Sequence, residues 1–159
     1  MSRIWKTGQS VFITYERIIS IIEKVSKFKD HKVIVGSDSV KSGTCFVFAN
    51  AICILNTNNF YDRRFFYLRS KVNDDTYYNL SKRLLRETSE SIKIASELRD
   101  KIKDLNIEIH SDVNQNPIHL SSKMKNTIVG YVNGCGFPCK IKPYSFVASG
   151  IADTYTRKS

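Results

Sequence analysis

Two stretches of the sequence place an aspartate directly after a run of residues that is typical of a buried strand. Asp38 follows "VIVGS" and Asp112 follows "IEIHS". A buried carboxylate without a partner costs several kcal/mol, so hydrogen bonds, a basic residue or a metal ion must compensate for each charge. If the two strands are parallel neighbours, both acids lie where such strands end, which is the usual location of a functional site.

Helical spacing directs a third acid toward the core. The segment 74–103 reads as one long helix with an apolar stripe along one face. Glu87 falls inside that stripe, whereas Glu90 and Glu97 point away from it and are typical of a solvated face. An ion pair with Arg83, one turn earlier, is the alternative role for Glu87.

Three carboxylates brought together in one pocket would repel one another strongly. They stay ionised at neutral pH only when a cation lies among them. Oxygen ligands select a hard ion that keeps several of its waters, so Asp38, Glu87 and Asp112 predict a site for Mg²⁺ or Mn²⁺.

The elements that must position these acids alternate between strand and helix. Three strands joined by short turns, in "HKVIVGSDS", "TCFVFANAICIL" and "RRFFYLRSKV", predict an antiparallel meander. Because "VIV" is apolar on both faces, we expect its strand to be central. Helix, strand, helix, strand and helix follow. The chain is predicted to be α/β, with a mixed five-stranded sheet flanked by helices.

One domain is expected over residues 1–159, with an N-terminal helical segment at about residues 10–28. That segment repeats apolar residues at helical spacing, and its charged residues fall on the other face.

The charge balance indicates the kind of partner. Twenty-five Lys and Arg face fifteen Asp and Glu, a formal charge of +10. This excess favours polyanions, nucleic acid first and an anionic membrane surface second, although basicity can also serve solubility alone. No apolar run approaches the ~20 residues of a membrane-spanning helix, and the start lacks a signal-peptide pattern. With four cysteines read as reduced thiols, we expect a cytoplasmic protein that does not bind membranes.

The motifs "GSDS", "RLLRETSES", "IHSDVN", "GYVNGCGF" and "ASGIAD" follow one another in an order that resembles the ribonuclease H-like superfamily, and within it the YkuK-type branch. The resemblance covers residues 33–153. It implies the ribonuclease H-like fold, in which three antiparallel strands and a helix precede parallel strands with helices between them. It also implies a metal site of four acids, which carried over by motif are Asp38, Glu87, Asp112 and Asp153. Asp153 rests on motif order alone, because it points off the apolar face of its helix.

The resemblance implies metal-dependent hydrolysis of phosphodiester bonds in nucleic acid, with two Mg²⁺ or Mn²⁺ ions about 4 Å apart. RNA, RNA–DNA hybrid and DNA all remain open as substrates, as do endo or exo cleavage and the oligomeric state. Three alternatives are a nucleic-acid-binding protein with a vestigial site, a nuclease that resembles Holliday-junction resolvases, and an adaptor whose basic face meets an acidic protein.

Several polar residues near the acids are candidates for substrate contact or for support of the site. His110 could move a proton, although a structural histidine is the alternative. Asn114 and Ser122 could bind a phosphate or a water, and a helix cap is the alternative for the serine. Lys142 could meet a phosphate or simply lie on an exposed edge strand. Ser39 adjoins Asp38 and is grouped with them.

A further candidate surface mixes cations with aromatic residues in "RRFFYLR". Because alternation along a strand sends half of the aromatic side chains into the core, only the arginines are counted. They are Arg63, Arg64 and Arg69, a candidate nucleic-acid patch.

Overall fold

The computed structural model describes residues 3–157 as one mixed sheet with helices on both faces. The strand order across the sheet is β2-β1-β5-β4-β3-β6-β7. The strands are β1 Trp5–Thr7, β2 Phe12–Ile13, β3 His31–Ser42, β4 Cys45–Asn56, β5 Asn59–Val72, β6 Ile107–Asn114 and β7 Cys139–Lys142. The α/β class, the β3–β4–β5 meander and the central place of β3 are confirmed.

The prediction of five strands is wrong, because the sheet has seven. The two additional strands form a hairpin, β1 and β2, that pairs with β5 antiparallel through Trp5–Leu68 and its neighbours. Strands of two and three residues carry no periodic signal of their own. They are held by the free edge of β5 and by burial of the Trp5 side chain, which has no exposed surface.

The hairpin also shortens the first helix, which runs over Tyr15–Val25 (α1) instead of about residues 10–28. Thr14 has an extended backbone, and its side chain accepts a hydrogen bond from the Arg17 amide, so the helix starts there. Phe28, the last apolar residue of the predicted segment, lies beyond the helix and is 62% exposed.

The other helices follow the expected order. They are α2 Leu80–Lys101, α3 Lys125–Gly134 and a C-terminal helix made of a π-helical segment, Val147–Ala152, that continues into the α-helical Asp153–Thr156. Two 3₁₀ segments, Asp75–Tyr78 and Leu120–Met124, precede α2 and α3.

Helices α1, α2 and α3 pack on one face of the sheet, which we call the α2 face. The C-terminal helix packs on the opposite, C-terminal face, where Val147 and Tyr155 contact the apolar residues of β3, β4 and β5. None of the helices between residues 3 and 157 combines the length and the apolarity that crossing a bilayer requires.

Candidate active site and metal centre

The site lies where β3 and β6 stop pairing. The two strands are parallel neighbours, as predicted, and their pairing ends at Gly36 and His110. Asp38 and Asp112 each lie two residues beyond that last pair. Asp38 is not at the end of its strand, since β3 continues alongside β4 to Ser42. The acids therefore occupy the opening between two strands that part, on the C-terminal face of the sheet.

Gly36 brings the C-terminal helix down onto this opening. A Cβ atom at this position would lie 2.8 Å from the Ala148 backbone nitrogen, so only glycine lets the helix pack so closely. The close approach carries Asp153 to the acids. The carboxyl of Asp153 is within hydrogen-bonding reach of Asp38, and Thr156 Oγ1 lies 3.5 Å from Asp38 Oδ2.

Asp38 is 6% exposed and lacks a cationic partner among the described residues. Its burial, the negative charge of Asp112 and the hydrogen bond with Asp153 raise the pKa of Asp38 to about 8, although the Ser39 backbone amide acts in the opposite direction. No cationic side chain of the described residues therefore pairs with this carboxyl.

Glu87 reaches the same opening from the α2 face. It is 6% exposed and accepts a hydrogen bond from the Ser39 hydroxyl. Burial and the negative charges of Asp38 and Asp112 raise the pKa of Glu87 well above its ordinary value, against the effects of Ser39 and Arg83.

The other two glutamates of α2 lie elsewhere, as the stripe predicts. Glu90 pairs with Arg86, with 2.8 Å between Oε1 and Nε. Glu97 accepts hydrogen bonds from Arg3 and from the Tyr15 hydroxyl. Both acids therefore have ionic or hydrogen-bonding partners outside the opening, although Glu90 Oε2 is buried without a hydrogen bond to any described residue.

The remaining two acids have basic partners. Lys142 Nζ lies 2.9 Å from Asp112 Oδ1 and forms an ion pair with it, but the angles do not meet those of a hydrogen bond. Arg157 Nε donates to Asp153 Oδ1 at 3.0 Å. Lys142 ends β7, the edge strand next to β6. Part of the negative charge of the opening is therefore compensated at its rim, whereas Asp38 and Glu87 in its interior have no such partner.

His110 is held on both ring nitrogens. The Val147 amide donates to Nδ1 at 3.2 Å, and Nε2 lies 3.0 Å from Glu108 Oε1, which fits a neutral ring protonated on Nε2. Burial would raise the pKa of Glu108, but the hydrogen bond from His110 and the ion pair with Lys32 outweigh it and lower that pKa to about 2. These bonds favour the structural role over the proton shuttle.

Asn114, Ser121 and Ser122 organise the loop after β6. The Asn114 amide donates to Ser121 Oγ, its side-chain oxygen accepts from the Asn116 amide, and Ser122 Oγ donates to the His119 carbonyl. All three side chains thus have local backbone partners, as turn and cap residues do.

The three arginines do not form one patch. Arg63 and Arg69 face the C-terminal side of β5, whereas Arg64 faces the α2 side, because successive residues alternate. Arg63 stacks on Phe60 and Phe146. It lies six residues, about 20 Å, from Arg69.

Sequence reasoning missed two supports of the site. One is Gly36. A glycine inside an apolar strand is a signal that another part of the backbone approaches closely. The other is a buried network in which the Ser37 hydroxyl donates to Asn50 Oδ1 at 2.6 Å and lies 2.6 Å from Ser91 Oγ. No local pattern reveals that network, because its members come from β3, β4 and α2.

The donor chemistry fits a divalent cation. Four carboxylates lie at the opening, and oxygen is the ligand that Mg²⁺ and Mn²⁺ prefer. Burial first, and then the neighbouring acids Asp112 and Asp153, raise the pKa of Asp38. Within residues 3–157, however, no three His, Cys, Asp or Glu side chains are arranged around one ion position.

Comparison with known proteins gives one match. No curated protein and no solved structure resembles the chain significantly. A family model described as "Ribonuclease H-like" matches residues 14–157. This range contains the meander, α2, the parallel strands and all four acids. The chain therefore belongs to the ribonuclease H-like family.

Proposed function

We propose that this protein is a metal-dependent nuclease that hydrolyses phosphodiester bonds in nucleic acid. The observation that carries the proposal is the convergence of Asp38, Asp112 and Asp153 on one opening of the sheet, with Glu87 reaching it from the other face. Membership of the ribonuclease H-like family supports it, as does the net charge of +10.

The four acids would hold Mg²⁺ or Mn²⁺. When bound, such ions lower the pKa of an attacking water and stabilise the negative charge of the departing oxygen. Asp38 and Glu87 have no ion pair among the described residues to give up, and because their pKa values are raised they would release bound protons when an ion binds. Asp112 and Asp153 would exchange their contacts with Lys142 and Arg157 for the ions.

In this scheme, Lys142 and Arg157 are released from their ion pairs at the rim of the opening when metal binds. Lys142 and Arg157 lie beside the acids, so they could attract the phosphates of a bound strand once the acids turn to the ions. Two other residues of β3 support orientation: Gly36 lets the C-terminal helix approach the sheet closely, and the Ser39 hydroxyl donates a hydrogen bond to the Glu87 carboxylate. His110 is committed to Glu108 and Val147, so proton transfer is left to water.

A second candidate function is nucleic-acid binding without cleavage. The ion pairs of Asp112 with Lys142 and of Asp153 with Arg157 favour it, because they satisfy two of the four acids without metal.

A panel of labelled substrates separates the two functions. Single-stranded RNA, RNA–DNA hybrid, single-stranded DNA and a four-way junction are incubated with Mn²⁺, with Mg²⁺ or with EDTA, beside Asp38→Asn. Cleavage that needs the ion and Asp38 supports the nuclease. Retention of the label without cleavage supports the binding protein. A chain that neither cleaves nor retains any substrate contradicts both.

A further inference from the structure

A basic groove lies beside the acidic opening, on the same face of the sheet. Its walls come from β1, β5 and the C-terminal helix, and it encloses about 410 Å³. Three cations line it, Lys6, Arg69 and Lys71, and no acidic residue does. Within residues 3–157 none of the three forms an ion pair, and Arg69 Nε is buried without a hydrogen-bond partner.

The strand register fixes where the groove lies relative to the acids. Asp38 pairs with Ala49, and Ala49 pairs with Arg69, so the three residues form one row across the sheet with their side chains on the same face. Two strand spacings separate Asp38 from Arg69, about 10 Å. Ala49 between them is fully buried beneath the C-terminal helix, so a bound strand must pass over that helix. Roughly three stacked nucleotides, at about 3.4 Å each, are therefore the minimum length.

The aromatic wall of the groove indicates which part of a nucleic acid it contacts. Tyr67 and Tyr155 stack with 3.7 Å between ring centroids, and both are almost fully buried. The Tyr67 hydroxyl lies 2.9 Å from Ser10 Oγ. Because these rings are buried as well as stacked on each other, they do not offer a free face to a base. Contact with a nucleic acid is therefore left to the three cations of the groove, which attract phosphates and not bases.

From these observations we propose that the groove formed by Lys6, Arg69 and Lys71 binds the phosphate backbone of a nucleic-acid strand that continues from the acidic opening. Binding is electrostatic and independent of base sequence. The proposal rests on the proposed function only in taking nucleic acid as the ligand, and it does not require cleavage.

The test measures binding in EDTA, where a metal-dependent nuclease cannot cleave. A fluorescein-labelled single-stranded oligonucleotide is titrated with wild type and with Lys6→Ala/Lys71→Ala, and anisotropy is followed between 50 and 200 mM salt. Lys101→Ala/Lys103→Ala is the matched control, since it removes the same charge from exposed positions in the last turn of α2 and just after it. All four lysines are exposed, so folding should survive, and melting curves verify this.

We expect the groove variant to bind at least tenfold more weakly at 50 mM salt. The slope of log Kd against log salt should fall by about 0.7 for each phosphate that the variant no longer neutralises. The control should keep the wild-type slope. Equal weakening in both double variants, or none in the groove variant, would overturn the proposal, as would groove-dependent binding to phosphatidylserine vesicles but not to the oligonucleotide.

This result separates the two proposals. Groove-dependent binding in a protein that never cleaves removes the nuclease and keeps the groove. Metal-dependent cleavage with the same kcat/KM in wild type and in the groove variant keeps the nuclease and removes the groove.

Discussion

At the scale of single residues, Asp38 and Glu87 differ from the other acids in and around the opening in being buried without an ion pair in the described part of the chain. Glu108 is also buried, but Lys32 and His110 stabilise its charge. Asp38 and Glu87 approach one opening from opposite faces of the sheet, and both have raised pKa values. Ionising them in the folded protein lowers its free energy of unfolding. We infer that this cost is retained for function.

Glu87 should be essential for cleavage, whereas Glu90 should not. Glu87→Gln keeps an acceptor for the Ser39 hydroxyl but removes the charge, and loss of several kcal/mol of transition-state stabilisation lowers kcat/KM by at least about a hundredfold. Glu90→Gln, on the same helix but paired with Arg86, should change kcat/KM less than about threefold. Steady-state cleavage of the best substrate of the panel measures both. Similar losses in the two variants would contradict the assignment.

Asp38 should make the metal-free protein less stable as pH rises. Its folded pKa of about 8 lies above the ordinary value of 3.8. The folded state therefore binds the proton more tightly, and the stability that this proton contributes is full below about pH 4 and is lost as pH rises toward 8. In EDTA, the Tm of wild type should fall between pH 5 and pH 8, and Asp38→Asn should reduce that fall. Strong destabilisation of Asp38→Asn at pH 7 would instead show a structural acid.

At the scale of elements, the C-terminal helix determines whether Asp153 reaches the site. The helix begins with the π-helical segment Val147–Ala152 and lies directly on Gly36. A wheel drawn at 3.6 residues per turn places Asp153 off the apolar face, but a π segment widens the turn and changes which residues face the sheet. The position of Asp153 was therefore available only from motif order.

Gly36→Ala should displace this helix. The new Cβ would lie 2.8 Å from the Ala148 nitrogen, so we expect destabilisation of about 1–3 kcal/mol and loss of cleavage as Asp153 moves away. Gly130→Ala is the control, because Gly130 is exposed in α3 with open space around it and should gain up to about 1 kcal/mol. Denaturant unfolding and cleavage assays measure the pair. Unchanged cleavage in Gly36→Ala would contradict the role of the helix.

Sequence patterns predicted the long elements because each carries its own signal. β3, β4 and β5 span 12 to 14 residues each, and α2 spans 22. Helical spacing selected Glu87, and the apolar runs before Asp38 and Asp112 indicated that both acids follow neighbouring strands. The hairpin and the pairing of Lys142 with Asp112 were not predictable, since both depend on elements distant in sequence that meet only in the fold.

At the scale of the whole molecule, the uneven distribution of charge is the main feature. The chain carries +10 overall, yet four acids gather at one opening with a basic groove next to them. A polyanion is attracted by the molecule as a whole, whereas a divalent cation is attracted by one pocket. Both ligands should therefore stabilise the folded protein, at different places.

Excess Mn²⁺ should raise the Tm of wild type. An ion that binds only the folded state adds about 2.7 kcal/mol at a hundred times Kd, which is roughly 5–10 °C for a domain of this size. Asp112→Asn should lose most of this gain. Asp100→Asn, which removes an exposed acid at the end of α2, should keep it. Scanning calorimetry with EDTA and with Mn²⁺ measures the shifts. A wild type that ignores Mn²⁺ would contradict the metal site.

The hairpin of β1 and β2 has a consequence for solubility. It precedes the matched family region, which starts at residue 14, and it covers β5 only along Phe66–Leu68. A chain trimmed to residues 14–157 would lose the buried Trp5 and leave Phe66–Leu68, in the middle of this 14-residue strand, without a partner on that side. Long open edges recruit strands from other molecules. The trimmed chain should therefore elute as larger species in gel filtration, while the full chain at the same concentration should not.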